Sequence, residues 1–343
     1  VSEISKFMKK DLSNIARIMG VPKDNLSKII KINMPAATPS GGDRGIFGGG
    51  SGAAFYNIID FITISTTGNA NDFGDLTIDR RWADGTDNGY GGDKGVIIAG
   101  RTNTPSNQVT NTIDYITMST ESNASDFGGI LSGGKRSNFN STSNKANDRG
   151  LAANGIVGGI GDTNSIEYIT ISSSANSNSF GECSSSILWR YGPSAISNGS
   201  NNRALFAGGI DGGGQSVTIE YVNISSTGNS SDFGDLTAAT DYVAGTSNTT
   251  NNRGVFGGGQ HRGNIIDYVT ISTTGNAADF GDLLVGGHVK IPTSNGINNR
   301  GVWAGGGSSN VIEYITIISL SNSVDFGDLT EGREGGAGLS NTD

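Results

Sequence analysis

The sequence predicts an all-β fold, a six-bladed β-propeller of four-stranded blades, and three observations predict it. First, a motif of about fifty residues recurs six times. It opens each time on a basic residue and a small one, at Arg44, Lys94, Arg149, Arg203, Arg253 and Arg300, spaced 50, 55, 54, 50 and 47 residues apart. Second, one interval never changes. An acid followed by an aromatic (Asp60-Phe61, Asp114-Tyr115, Glu167-Tyr168, Glu220-Tyr221, Asp267-Tyr268, Glu313-Tyr314) precedes by twelve residues a DFG-like element, which marks a rigid supersecondary unit. Third, the two ends of the repeat complement each other.

Each element of the unit follows from its residues. RGVFGGG (253–259) is a short strand running into a glycine turn, where the missing Cβ permits positive φ and close backbone approach. IIDYVTIS (265–272) alternates across a pleated strand rich in β-branched and aromatic side chains. TTGNAADFGDL (273–283) reads as a polar turn and a short outer strand, and TDYVAGTSN (240–248), before the next Arg, supplies the fourth strand. The first unit starts at Arg44 without that fourth strand, and EGREGGAGLSN (331–341) has no following unit. A blade completed by strands from both ends closes the ring and removes free sheet edges. A solenoid is the competing architecture, but its coils are usually shorter and no capping sequence is visible.

Composition narrows the function classes. The chain has 343 residues with 55 Gly, 6 Pro, one Cys and 34% hydrophobic residues. It has no Gly-X-Y period, no disulfide framework, no apolar run of bilayer length and no signal-peptide core. The two histidines, His261 and His288, and the single Cys183 offer no catalytic constellation, and GGGQHRGN lacks the ending of a phosphate-binding loop.

The tandem glycines after one strand and the Tyr on the next resemble kelch-type propeller repeats. More closely, RGVFGGG…IIDYVTISTTGNAADFGDL is similar to glycine-rich repeats of virion and tail-fibre proteins of bacteriophages, marine ones in particular. The resemblance covers residues 44–343. The kelch outer-strand Trp is absent, and Phe73, Phe127, Phe180, Phe233, Phe280 and Phe326 stand in its place; the third unit, with Ser179 to Cys183, is the most degenerate. The copper centre of kelch-like oxidases has no counterpart among these residues, so no cofactor or metal is expected. The resemblance implies a structural, adhesive virion protein made in a host cytoplasm, homo-oligomeric, without catalysis, presenting variable loops to a host glycan or receptor. A polysaccharide-degrading virion enzyme using Asp241 or Glu334 and an intracellular kelch-type interaction module are the alternatives.

Residues present once per unit belong to the scaffold: the basic starts (Arg44, Arg253, Arg300) and the acids (Asp60, Asp267, Glu313) are expected to pair or to cap carbonyls within or between blades. The carboxylates of the DFGDL turns raise a calcium question, although Asp in a glycine turn more often bonds its own backbone. Function is sought where the units differ. The junctions between outer and next inner strand carry Arg81, Trp82, Lys135, Arg136, Trp189, Arg190, Tyr191, Asp241, Tyr242, His288, Lys290 and Arg333, all expected on one face with the variable loops between second and third strands. Aromatic and charged groups around one mouth suit sugar binding by stacking and hydrogen bonds.

Residues 1–33 differ from the rest, with seven Lys/Arg against three Asp/Glu. Ile4, Phe7, Met8, Ile15, Ile18 and Met19 follow helical spacing, Gly20-Val21-Pro22 interrupts it, and Leu26, Ile29 and Ile30 mark a second helix. These apolar faces are expected to dock on other virion proteins or on copies of the chain rather than on nucleic acid. Residues 34–43 read as a linker to the propeller at 44–343.

Overall fold

The computed structural model describes residues 42–103, 108–129, 134–159, 161–184 and 191–342. The helices expected over 1–33, with their docking residues, lie outside the described residues, as do Trp189 and Arg190. Among the described residues no helix is long and apolar enough to cross a membrane.

The described chain is all-β. The repeat forms successive antiparallel sheets, each ordered inner, second, third and outer strand. In the fifth sheet these are Ala244–Ser247, Arg253–Gly257, Ile265–Thr270 and Ala278–Asp282. The sixth repeats them as Ile291–Ser294, Arg300–Ala304, Val311–Thr316 and Val324–Asp328. The second (Asp84–Asp87 to Ser125–Gly129) and third (Asn140–Ser143 to Asn178–Glu182) follow the same order. The fourth (Ser194–Ser197 to Ser231–Thr240) adds the short strand Ile210–Asp211. The first sheet takes its inner strand from the far end of the chain: Ala337–Ser340 pairs with Arg44–Gly48, followed by Ile58–Thr63 and Asn71–Asp75. The strand expected in EGREGGAGLSN is therefore present and pairs as the missing fourth strand should.

The apolar residues do not gather in one core. Buried clusters each straddle two successive sheets: Phe73 and Leu76 pack with Ile97, Ile116 and Met118 of the second sheet, and Phe326 and Leu329 of the sixth with Phe47, Ile62 and Ile64 of the first. Both faces of a third strand are consequently covered; Ile266 packs toward the sixth sheet and Val269 toward the fourth. Thin cores distributed between sheets account for a stable fold with few hydrophobic residues. Cys183 fills the buried Leu position of DFGDL in the third sheet.

The repeat's polar signature links neighbours. Each basic start lies over the aromatic ring of its own third strand, 4.3 to 4.8 Å from the centroid. All six also donate to a carbonyl of the next sheet, Arg253 to Ile317 at 3.2 Å and Arg300 to Ile64 at 2.8 Å among them. The same aromatic meets the Phe of DFG edge-on, as in Tyr314–Phe326 at 5.8 Å. Arg44, Arg253 and Arg300 thus cap carbonyls between sheets, and the acids have other partners, described below.

The glycine of DFG has a separate cause. Gly327 has φ 148°, and a Cβ there would lie 2.4 Å from the carbonyl oxygen of Gly68 in the first sheet's turn. Asn69 of that turn accepts the Asp328 N–H at 3.1 Å, so the turn of one sheet covers the outer edge of the one before it. Gly327→Ala is expected to cost at least about 3 kcal/mol in urea unfolding. Gly68→Ala, which carries the strain of φ 157° but whose Cβ would meet nothing within 4 Å, is expected to cost less, lacking the clash.

Candidate functional site

The inner strand of each sheet contacts those of the sheets before and after it, and Ile291–Ser294 of the sixth contacts Ala337–Ser340 of the first. The cycle of contacts is complete, and its two ends differ.

At one end a residue from each junction joins a ring of backbone hydrogen bonds. The N–H of Trp82 donates to Gly335 (2.6 Å), Gly335 to Val289 (3.0 Å), Val289 to Tyr242 (3.1 Å), Tyr242 to Gly192 (2.6 Å), Gly192 to Asn138 (2.9 Å) and Asn138 back to Trp82 (3.3 Å). All are left-handed, with φ between 51° and 66°. Glycine adopts this conformation freely, whereas an L-residue gives up roughly 1 kcal/mol or more. Gly192 and Gly335 show that the ring accepts glycine, yet Trp82, Tyr242 and Val289 keep large side chains there. Two of these lean over the glycines: a Cβ on Gly335 would lie 2.8 Å from Trp82 Cδ1, and one on Gly192 3.0 Å from Tyr242 Cδ1.

The junction residues sort by register against this ring. One residue before it stand Arg81, Ser137, Tyr191, Asp241, His288 and Glu334. Arg81, Tyr191, Asp241 and Glu334 bridge to the end of their second strand or the loop after it, at Arg101, Ile210, Gln260 and Ser51. Both loop types therefore border the same mouth, as expected. Arg81, Trp82, Tyr191, Tyr242 and His288 are half-buried there, and Lys135 is exposed. Burial, with Asp241 and Tyr191 adding to it, pushes the Tyr242 phenol up to about 12.

Two residues before the ring stand Arg80, Arg136 and Arg333, which face inward. Arg80 pairs with Asp114, Arg136 with Glu167 at 3.1 Å and Arg333 with Asp60 at 3.1 Å, all with side chains at most 2% exposed. Position 240 holds Thr, and Asp267 instead pairs with Arg262 of its own sheet at 3.0 Å; Glu313 pairs with Lys290 at 2.8 Å. The acids also reach the preceding sheet, Asp267 accepting the Thr237 N–H and Asp60 that of Thr330, both at 3.1 Å. Arg136, Lys290 and Arg333, expected to line the mouth, are thus buried structural cations. A basic residue in a junction that differs from unit to unit looks like surface in sequence, and only its acid partner, 31 residues on for Arg136 and Glu167 and across the chain for Arg333 and Asp60, shows otherwise.

Asp241 is likewise fully buried, and neither carboxyl oxygen has a hydrogen-bond partner among the described residues. Burial raises its pKa, and His261 and His288 offset part of the rise. Described residues include no group of three or more His, Cys, Asp or Glu able to hold a metal ion.

At the other end the inner strands finish on a motif that sequence reading missed: Asp87-Asn88, Ser143-Asn144, Ser197-Asn198, Ser247-Asn248, Ser294-Asn295 and Ser340-Asn341. Ser143, Ser197, Ser247 and Ser294 each donate Oγ to the carbonyl of the preceding sheet's Ser or Asp, at 2.6 to 2.8 Å. Each Asn Oδ1 accepts the N–H of its sheet's basic start, for example Arg253 at 2.6 Å. Lys145 crosses this end, 2.7 Å from Asp87 and 3.4 Å from Ser340 Oγ. Between the ends lies a cavity with about 160 Å³ accessible to water, lined by the inner strands, room for roughly ten waters.

Neither a protein-family model nor a curated protein matches the chain.

Asp84, on the cavity wall, accepts the N–H groups of Gly85 (2.8 Å) and Ser141 (2.6 Å). The residue is only half-buried by surface area, but its carboxyl is desolvated and its pKa is pushed up to about 7. Between about pH 4 and pH 7 the folded state then binds the proton more tightly than the unfolded one, so stability falls as pH rises through that window. Asp84→Asn, whose single side-chain oxygen can accept only one of the two N–H groups, is expected to lower Tm at pH 4 and to remove most of the decline between pH 4 and pH 8. Thermal melts at both pH values check this.

Proposed function

We propose that the repeated sheets are the blades of a closed six-bladed β-propeller and that the chain is a non-catalytic adhesive module binding a surface glycan at the mouth around Trp82 and Tyr242. One observation carries the reading: large side chains occupy left-handed ring positions that glycine fills elsewhere in the same ring. Their conformational cost has no return within the ring, and a half-buried aromatic face bordered by Arg81, Tyr191 and His288 suits a sugar ring. The repeated residues, by contrast, are consumed in joining sheets.

The similarity of the repeat to virion and tail-fibre proteins supports a host cell surface as the target, with residues 1–33 attaching the module to the particle or to further copies. Two measurements test the reading. The protein is expected on purified virus particles by mass spectrometry. On a glycan array the intact chain is expected to bind without releasing product, and Trp82→Ala with Tyr242→Ala to lose that binding while keeping its melting temperature. Binding unchanged by the two substitutions would place the glycan elsewhere, and reducing-sugar release abolished by Asp241→Asn would favour the enzyme.

A further inference from the structure

Within this mouth, one junction is charged unlike the others. Arg81 and Arg101 face each other as a hydrogen-bonded pair, the N–H of Arg81 donating to Arg101 at 2.9 Å and that of Arg101 to Arg81 at 2.7 Å. Directly paired residues of a ladder place their side chains on the same face, and like charges there repel. The corresponding pairs elsewhere are Ser137 with Ile156, Tyr191 with Ile210, Asp241 with Gln260 and Glu334 with Ser51, none carrying two charges of one sign. This happens in a chain of net charge −9.

Both guanidinium groups are held in place by aromatic faces. Arg81 lies 3.9 Å from the Trp82 ring centroid and 4.5 Å from that of Phe55, and Arg101 lies 5.5 Å from Trp82. Arg101 Nε also donates to Ser137 Oγ at 3.3 Å. Arg81 forms none of the ion pairs among the described residues, and its buried Nε has no hydrogen-bond partner there. Burial and the neighbouring Arg101 both lower its pKa, and Glu334 is the nearby carboxylate acting in the opposite sense. From Arg101 an open groove of about 670 Å³ continues past Gln108 and Val109 to the exposed Lys135, floored by Gly158 and Gly159. Three cations therefore follow one another from the mouth along this groove.

We infer that Arg81, Arg101 and Lys135 form a subsite for the anionic groups, carboxylate or sulfate, of an acidic polysaccharide whose sugar ring stacks beside Trp82. The inference rests on the proposed glycan-binding role and specifies its ligand class. A guanidinium pair suits planar, bidentate recognition of carboxylate and sulfate oxygens, and the anion relieves the repulsion between the two arginines.

Affinity gel electrophoresis of the full chain against polygalacturonate, dextran sulfate, neutral dextran and single-stranded oligodeoxythymidylate tests it. Retardation is expected on one or both acidic polysaccharides, weakening as salt is raised, with little on neutral dextran; the stronger of the two acidic probes identifies the anionic group. Arg81→Gln and Arg101→Gln are each expected to weaken binding about tenfold or more, and Lys135→Gln to weaken it less. Lys94→Gln, at the other end of the strand carrying Arg101, is expected to leave it unchanged. Equal retardation by neutral dextran, or acidic-polysaccharide binding untouched by both arginine substitutions, overturns the inference and leaves glycan binding standing. Tighter binding of the oligonucleotide than of any polysaccharide overturns it in favour of nucleic acid. No retardation on any polysaccharide overturns both this inference and the glycan-binding reading.

Discussion

Removal of residues 337–343 is expected to abolish the cooperative unfolding transition and to leave a protein that self-associates. Ala337–Ser340 is the inner strand of the first sheet, paired with Gly45 to Gly48. Ala337 and Leu339 belong to the buried cluster between the first and second sheets, and Ser340 and Thr342 bond across to the neighbouring inner strands. Truncation exposes that cluster and leaves without partners those N–H and C=O groups of Arg44–Gly48 that face Ala337–Ser340, the others staying paired with Ile58–Thr63, at about 1–3 kcal/mol each where water cannot replace them. Together with the lost burial of Leu339, about 1.5–3 kcal/mol, the total is comparable to the whole stability of a domain, about 5–15 kcal/mol. The bared edge of Arg44–Gly48 is then a template for pairing with another chain. Circular dichroism melts and sedimentation check both effects, and a peptide spanning 331–343 is expected to restore the transition in trans. A truncated chain that melts cooperatively as a monomer would show that closure is dispensable.

Arg262→Met is expected to destabilise the protein by about 3–5 kcal/mol, because it strands Asp267 without its cation in a fully buried position. The repeat suggests its own remedy. Thr240 stands two residues before Tyr242, the register in which Arg80, Arg136 and Arg333 reach the acid of the following sheet. Thr240→Arg is therefore expected to recover most of the loss in the Arg262→Met background, since its guanidinium enters the space Arg262 vacates. The same change in the wild-type chain is expected to destabilise, two cations then competing for one carboxylate. Urea unfolding of the four proteins completes a double-mutant cycle. A double variant no more stable than Arg262→Met would show that the register does not carry the interaction.

These ion pairs mark the limit of what could be read from the chain alone. The unit, the start of each second strand and the strand supplied by EGREGGAGLSN were legible because a period repeated six times averages out local ambiguity. Arg81, Trp82, Tyr191 and Tyr242 were legible as mouth residues because they interrupt that repetition. Arg136, Lys290 and Arg333 interrupt it equally well and are buried. In unit five the cation comes from a loop and in unit six from the far side of the ring residue, so its position along the chain varies while its place in space does not. The Ser-Asn and Asp-Asn pairs closing the inner strands were a visible signal, overlooked because short polar dipeptides are common in loops.

Period, strand order and the fourth strand that the first unit lacks and EGREGGAGLSN supplies show as local alternation and turn signals repeated along the chain, and the sequence by itself determined them. The ring of Trp82, Asn138, Gly192, Tyr242, Val289 and Gly335 and the cavity behind it arise only when residues about fifty positions apart, or at opposite ends of the chain, come within 3 Å or so, and the Arg81–Arg101 pair when a junction folds onto its own second strand. Tertiary structure alone decided those, because each depends on which backbone groups lie side by side, and no local pattern encodes that adjacency.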